Sequence, residues 1–149
     1  MQPQRLPDSL PAGIDVFQLA LDLDAPLSDA DWALLSEEEG VRALRFLRHG
    51  DKVRFVVTRA ALRRLLGARL RRRPQTLRFV TNSYGKPRLE AACSSNPAIF
   101  FNVSHAGSFA LIALSIVATA SGVRPARLYI SPRPTMMSPS FGCSAAIAS

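Results

Sequence analysis

Three groups of residues, in a fixed order along the chain, carry side chains that could bind phosphate. Ser104 can offer a hydroxyl, His105 a ring donor or a cation, and Gly107 a close backbone approach to an anion. Arginine forks suit phosphate oxygens in the same way. The groups are a basic stretch from Arg42 to Arg54, the turn Tyr84-Gly85-Lys86-Pro87, and the strand end Asn102-Val103-Ser104-His105-Ala106-Gly107.

Each of these groups also has a purely structural explanation. Gly85-Lys86-Pro87 is a common kind of turn, because glycine permits many backbone conformations and proline fixes φ. The segment around His105 could equally be a capped β-turn with a satisfied histidine. A phosphate site is therefore indicated by the combination of the groups, and not by any one of them.

The charge of the chain is strongly one-sided. Its formal net charge is +8, but fifteen of the nineteen Lys and Arg residues fall between Arg42 and Arg88, where Asp51 is the only opposing carboxylate, so this segment carries +14. Such a field usually faces an anion, whether a nucleic acid, an anionic membrane or a phosphorylated cofactor. A solvated basic surface would explain the same charge.

The carboxylates are distributed just as unevenly. All eleven Asp and Glu residues lie at or before Glu90, and the last 59 residues contain none. Magnesium prefers hard oxygen ligands, usually one or two carboxylates together with waters and phosphate oxygens. The sequence therefore predicts no metal-binding residue after Glu90.

Helices are predicted in the first half of the chain. Ser28 and Ser36 each precede acidic residues, a pattern that is typical of a helix N-cap. From Asp51 to about Arg73 the apolar pattern predicts a long helix that is buried on two sides. Three basic residues on one strip of this helix could point together at one anionic ligand: Lys52, Arg59 and Arg63.

The remaining pattern favours strands. Past Pro74 the period changes to short β-rich stretches at Thr76–Thr81, Phe100–Val103 and Phe109–Val117, and Ile14–Leu23 alternates in part as a sheet strand does. The fold class is therefore predicted to be α+β, with a small antiparallel sheet packed on the long helix.

Domain boundaries follow from composition. Residues 1–13 are predicted to be a flexible leader, residues 14–117 a folded subdomain, and residues 118–149 a disordered tail rich in Ser, Pro, Ala and Arg. The abrupt change after residue 117 is typical of a frameshifted sequence, with a natural disordered tail as the alternative. No apolar run has the length of a membrane span and no secretory h-region is present, so the sequence predicts a cytoplasmic protein without a membrane partner.

Taken in order, these groups resemble the phosphopantetheinyl transferases of the surfactin-synthetase-activating type. The similarity runs from about Asp15 to Ser115 and includes Arg45-Phe46, Leu77-Arg78-Phe79, Lys86-Pro87 and the Ser104-His105 pair. It implies an enzyme that moves the phosphopantetheine arm of coenzyme A onto a serine of an acyl or peptidyl carrier protein and releases adenosine 3′,5′-bisphosphate. It also implies a pseudo-dimer of two similar α+β halves, with coenzyme A and magnesium in the cleft between them, and this chain corresponds to the N-terminal half.

The resemblance also implies roles for single residues. Arg42 and Arg54 stand where the family has basic residues near the 3′-phosphate of coenzyme A. Lys86 and Pro87 match a turn that lies against the adenosine portion. Ser104 and His105 match a pair whose histidine contacts phosphate. Coenzyme A is thus expected to bind as a substrate at these six positions.

Departures from the family pattern concern the chemistry. Glu39 takes a place where some relatives carry a further lysine, so one phosphate contact is expected to be missing. The family's acidic Asp-x-Glu pair that binds magnesium is absent after Ser115, where Gly122-Val123-Arg124 stands near its expected position, and the second half with its Glu and Lys is absent too. We therefore assign no catalytic residue and no metal ligand, and we expect a truncated chain that is weakly active or inactive.

Two other functions remain open from the sequence. A nucleic-acid-binding module would explain the basic segment, although it leaves the Lys86-Pro87 and Ser104-His105 groups unexplained, and is therefore disfavoured. A non-catalytic remnant that still binds a carrier protein would also suit a basic surface, because carrier proteins are acidic.

Overall fold

The computed structural model describes residues 2–7, 13–81, 83, 86–90 and 98–117. Two of the sequence expectations concern residues outside these ranges. They are the Tyr84-Gly85 part of the second group and the disordered tail from residue 118. None of the helices in the described ranges combines the length and apolarity that crossing a membrane requires.

The main sheet is antiparallel throughout. Within the described residues it contains β1 (Gln4–Arg5), β2 (Ile14–Ala20), β5 (Ala98–Ala106) and β6 (Phe109–Val117), in the order β1-β2-β6-β5. A separate pair joins β3 (Phe79–Thr81) to β4 (Pro87–Leu89). The expected α+β class with a small antiparallel sheet is confirmed. Gln4 and Arg5, assigned to the leader by composition, pair with Gln18 and Phe17 of β2.

Four strand boundaries differ from those that the sequence predicted. Two are shifts of a few residues, since β2 ends at Ala20 and not at Leu23, and β5 begins at Ala98 and not at Phe100. The other two have visible structural causes. The strand expected to end at Val103 continues to Ala106, because pairing with β6 extends to Phe109 across a two-residue turn. Gly107 opens that turn with a φ of 56°, which costs glycine no steric strain. At the other boundary, Pro74–Thr76 forms a 3₁₀ turn and not the start of a strand, so β3 begins only at Phe79.

Both predicted N-caps are confirmed. Ser28 caps the short helix α1 (Asp29–Trp32) by accepting a hydrogen bond from the amide of Ala30. Ser36 and Glu39 form a reciprocal capping box at the start of α2 (Glu37–Leu44). The third helix, α3, runs over His49–Leu70 instead of the expected residues 51–73, and it stops where Arg71 adopts a left-handed conformation.

The hydrophobic core lies between α3 and the inner face of the main sheet. Alternate residues of β2 and β6 point inward, as the period of a strand requires, and they meet the apolar stripe of α3. The buried residues that form this contact are Phe17, Leu19, Ala110, Ile112 and Leu114 from the strands and Val53, Val57, Ala61, Leu62 and Leu66 from α3.

Arg63 connects α3 to two other segments. Its side chain is 1% exposed, and its guanidinium donates from Nε to Glu39 Oε2 at 2.8 Å. Nη1 donates to the carbonyl oxygens of Pro74 and Leu77 at 2.8 and 2.9 Å. The guanidinium of Arg63 is therefore engaged in contacts within the fold. The expectation that it points at an anionic ligand is wrong.

This arrangement makes Arg63→Met a test of the fold. Removing the cation leaves Glu39 and two carbonyl oxygens short of a buried partner, so we expect the free energy of unfolding to fall by about 3 to 5 kcal/mol. Urea denaturation measures this loss of free energy of unfolding. The matched control is Arg64→Met, which breaks a more exposed pair with Asp31 and is expected to lose about 1 kcal/mol or less. Equal losses in the two variants would contradict the role given to Arg63.

Candidate anion-binding pocket

A cavity of about 340 Å³ opens between α2, α3, β4 and β5. From α3, four residues at helical spacing share one face toward it. From β5, three alternate residues share one face toward it, and one residue between them lines it as well. The lining consists of Arg42 from α2; Phe55, Thr58, Arg59 and Leu62 from α3; Lys86 and Pro87 at the start of β4; and Phe101, Asn102, Val103 and His105 from β5.

Aromatic rings hold the arginines of this pocket. The guanidinium carbons of Arg42 and Arg59 lie 5.3 and 5.6 Å from the centroid of the Phe55 ring. Arg59 also lies 4.9 Å from the centroid of Phe79, which itself packs edge-on against Phe101. Such cation–π contacts fix the direction of a flexible side chain while leaving its hydrogen-bond donors available.

Arg59 is only partly neutralised. Its Nε lies 3.4 Å from Glu39 Oε1, whereas its buried Nη1 has no hydrogen-bond partner among the described residues. Burial lowers the pKa of Arg59 against the opposing effect of Glu39, and the charges of Arg63 and Arg42 lower it further. An arginine nevertheless stays protonated in proteins, so the pocket contains a buried cation with an unused donor.

His105 is a second donor in the lining. Its Nε2 lies 3.3 Å from the hydroxyl of Thr58. Partial burial lowers the pKa of His105, and the positive charge of Arg54 lowers it further. The ring is therefore biased toward its neutral form in the free protein, and a nearby anion would favour the protonated form.

The structure brings four of the six expected site residues together. Arg42, Lys86, Pro87 and His105 all line the cavity. The other two, Arg54 and Ser104, lie outside its lining.

Arg54 lies outside the lining. It pairs with Asp51 at 2.6 Å, and its Nη2 donates to the carbonyl oxygen of Gly107 at 3.2 Å. It thus anchors the turn next to His105.

Ser104 also lies outside the lining, although its neighbours Val103 and His105 on β5 both line the cavity.

Several lining residues were not identified from the sequence. Phe55, Thr58 and Leu62 lie within the stretch whose apolar pattern predicts a long buried helix, and no motif marks them as site residues. A stripe at positions i, i+3, i+4 and i+7 that mixes aromatic, polar and basic residues was the available signal. Arg59 was placed on a basic strip, but its neighbours there, Lys52 and Arg63, do not line the cavity.

Metal ligands are not clustered in the part of the chain that the structure describes. No three His, Cys, Asp or Glu side chains in those ranges lie close enough to hold an ion. The cavity lining contains no carboxylate, and Glu39 behind it is engaged with arginines. These residues do not fit magnesium, and we derive no chemical step through it.

The His105 environment leads to a pH prediction. We expect an NMR titration of the free protein to give His105 a pKa below the ordinary value of about 6.5, and Arg54→Met to raise it part of the way back. Because the unfolded chain then binds more protons, the contribution of His105 to stability is lost as the pH falls below that ordinary value. A folded-state pKa at or above 6.5 would contradict the described environment.

Comparison with known proteins gives the family. The family model "4′-phosphopantetheinyl transferase, N-terminal" matches residues 28–117, which is more than half of the chain. A protein of Synechocystis sp. (strain PCC 6803) that is assigned as a 4′-phosphopantetheinyl transferase is 45% identical over 92 residues. That match covers 62% of this chain and 37% of the relative, so the chain spans well under half of the relative's length. The segment that builds the pocket is the segment matched, and the chain belongs to the 4′-phosphopantetheinyl transferase family through its N-terminal domain.

Proposed function

We propose that the pocket binds the phosphorylated nucleotide end of coenzyme A, and that the chain is the N-terminal half of a transferase of the surfactin-synthetase-activating type. The observation that carries this proposal is the convergence of cationic and donor groups from four parts of the fold on one cavity. Arg42 comes from α2, Arg59 from α3, Lys86 precedes β4 and His105 lies on β5.

The chemistry of the ligand suits this lining. Coenzyme A carries a 3′-phosphate and a pyrophosphate, which together require several positively charged donors. Apolar walls from Phe55, Leu62 and Phe101 exclude water and strengthen those charge interactions. A cavity of about 340 Å³ has the size of a small-molecule site.

We assign the residues as follows. Arg42 contacts the 3′-phosphate, Pro87 lies against the adenosine portion, and Lys86 and His105 donate to phosphate oxygens. Arg54 supports the 3′-phosphate end from the Gly107 turn, where its own bond to the carbonyl holds it. Ser104, on the other face of β5, would reach the ligand only through its backbone.

The reaction proposed for the complete enzyme is a phosphoryl transfer. The serine hydroxyl of an acyl or peptidyl carrier protein attacks the phosphorus next to the pantetheine arm and gives its proton to a base that lies outside the described residues. The bond from that phosphorus to the bridging oxygen breaks, and adenosine 3′,5′-bisphosphate leaves. The described residues supply no general base and no magnesium ligand, so we expect this chain alone to bind coenzyme A but to transfer its arm weakly or not at all.

We place the protein in the cytoplasm.

Nucleic-acid binding is disfavoured by the way the basic segment is used. Arg63, Arg64 and Arg69 pair with Glu39, Asp31 and Asp15 respectively, which are carboxylates from outside that segment. The free positive field is therefore smaller than the local charge count indicates. Three further basic residues, Arg42, Arg59 and Lys86, line a concave pocket, which suits a small anion better than an extended phosphate backbone.

Isothermal titration calorimetry with coenzyme A tests the binding proposal. We expect the parent chain to bind, and Lys86→Ala and His105→Ala each to weaken binding by about tenfold or more, the usual loss for a charge-assisted hydrogen bond. Arg72→Ala is the matched control, because Arg72 is exposed and outside the lining. Unchanged affinity in both pocket variants would overturn the proposal.

Incubation with a carrier protein, coenzyme A and magnesium, followed by mass spectrometry, tests the expected lack of transfer.

A further inference from the structure

We propose that Arg59 is a phosphate ligand of this pocket, with its Nη1 donating to a phosphate oxygen of the bound nucleotide. This inference rests on the proposed function, and it adds a ligand that the six expected positions do not include. Two observations lie behind it: Arg59 lines the cavity, and its buried Nη1 atom has no partner in the described part of the chain.

The guanidinium of Arg59 is held in one orientation. Its Nε atom lies 3.4 Å from Oε1 of Glu39. The rings of Phe55 and Phe79 lie 5.6 and 4.9 Å from its central carbon and limit the access of water to its faces. A side chain fixed in this way loses little conformational freedom when a ligand arrives, which favours tight binding.

The uncompensated positive charge around Arg59 also favours the binding of an anion. The single carboxylate of Glu39 is shared between Arg59 and Arg63, so one positive charge remains uncompensated. Arg42 adds a second cation, because its guanidinium contacts the same Phe55 ring. With no Asp or Glu in the cavity lining, an anion bound there would relieve the repulsion between Arg42 and Arg59.

This arrangement gives Glu39 a role that differs from the one expected from the sequence. The resemblance to the family indicated a lost phosphate contact, since some relatives have lysine at this position. In this chain Glu39 instead lies behind Arg59 and holds it. Arg59 can thus supply the positive charge that position 39 does not.

A structural alternative is that Nη1 is satisfied by the flanking aromatic rings alone. In that case Arg59 would matter for folding but not for binding. The difference is measurable, because only a phosphate ligand makes the loss depend on which phosphates the bound molecule carries.

The experiment compares the full chain with Arg59→Gln and with Arg72→Gln, the exposed control. Coenzyme A, 3′-dephospho-coenzyme A and inorganic pyrophosphate are titrated against each by calorimetry. We expect Arg59→Gln to bind coenzyme A about tenfold to a hundredfold more weakly, and the control to bind as the parent does. If the loss vanishes with 3′-dephospho-coenzyme A, Arg59 contacts the 3′-phosphate; if it persists, Arg59 contacts the pyrophosphate.

Three outcomes separate this inference from the proposed function. If the parent binds coenzyme A and Arg59→Gln binds it equally well, Arg59 is not a ligand, although the pocket assignment stands. If coenzyme A fails to bind but pyrophosphate binds in an Arg59-dependent way, the anion site stands and the proposed function falls. If the parent binds neither, both fall.

A measurement on the parent protein guards against misfolding of the variant. The guanidinium NMR signal of Arg59, assigned from its absence in Arg59→Lys, is followed during addition of coenzyme A. We expect it to shift on binding, since a new hydrogen bond forms at Nη1. A signal that does not move at saturating ligand would overturn the inference even if Arg59→Gln failed to fold.

Discussion

One buried ion pair ties together the segments that make up this fold. Arg63, on α3, gives its donors to Glu39 of α2 and to the carbonyl oxygens of Pro74 and Leu77 ahead of β3. Segments that are well separated along the chain therefore meet at one side chain that is 1% exposed. A buried charge without its partner is strongly destabilising, so these segments cannot move apart independently.

That constraint also shapes the pocket. The helix that contains Glu39 also carries Arg42, and the chain that follows the Arg63 contacts at Pro74 and Leu77 leads through β3 to Lys86 and Pro87. Glu39 serves both purposes, since one of its oxygens meets Arg63 and the other meets Arg59. The fold and the charge of the cavity thus depend on the same carboxylate.

Signals that act over a few residues were predictable from the sequence. The capping serines Ser28 and Ser36 and the alternation of β2 are of this kind, because each depends on neighbouring residues. Long-range pairing was not predictable from local counts. The basic segment looked unopposed because its partners, such as Asp15 and Asp31, lie far earlier in the chain. Family resemblance indicated four of the eleven described lining residues, and it also indicated Arg54 and Ser104, which lie outside the lining.

A crystal structure of this chain with coenzyme A would test most directly whether the cavity is a phosphate site built on the Glu39–Arg63 pair. We expect the phosphate groups to lie within hydrogen-bonding distance of Arg42, Lys86 and His105, with the contacts of Glu39 to Arg63 intact. Coenzyme A bound on the exposed surface beyond α3, or bound in the cavity only after Glu39 has released Arg63, would contradict this account.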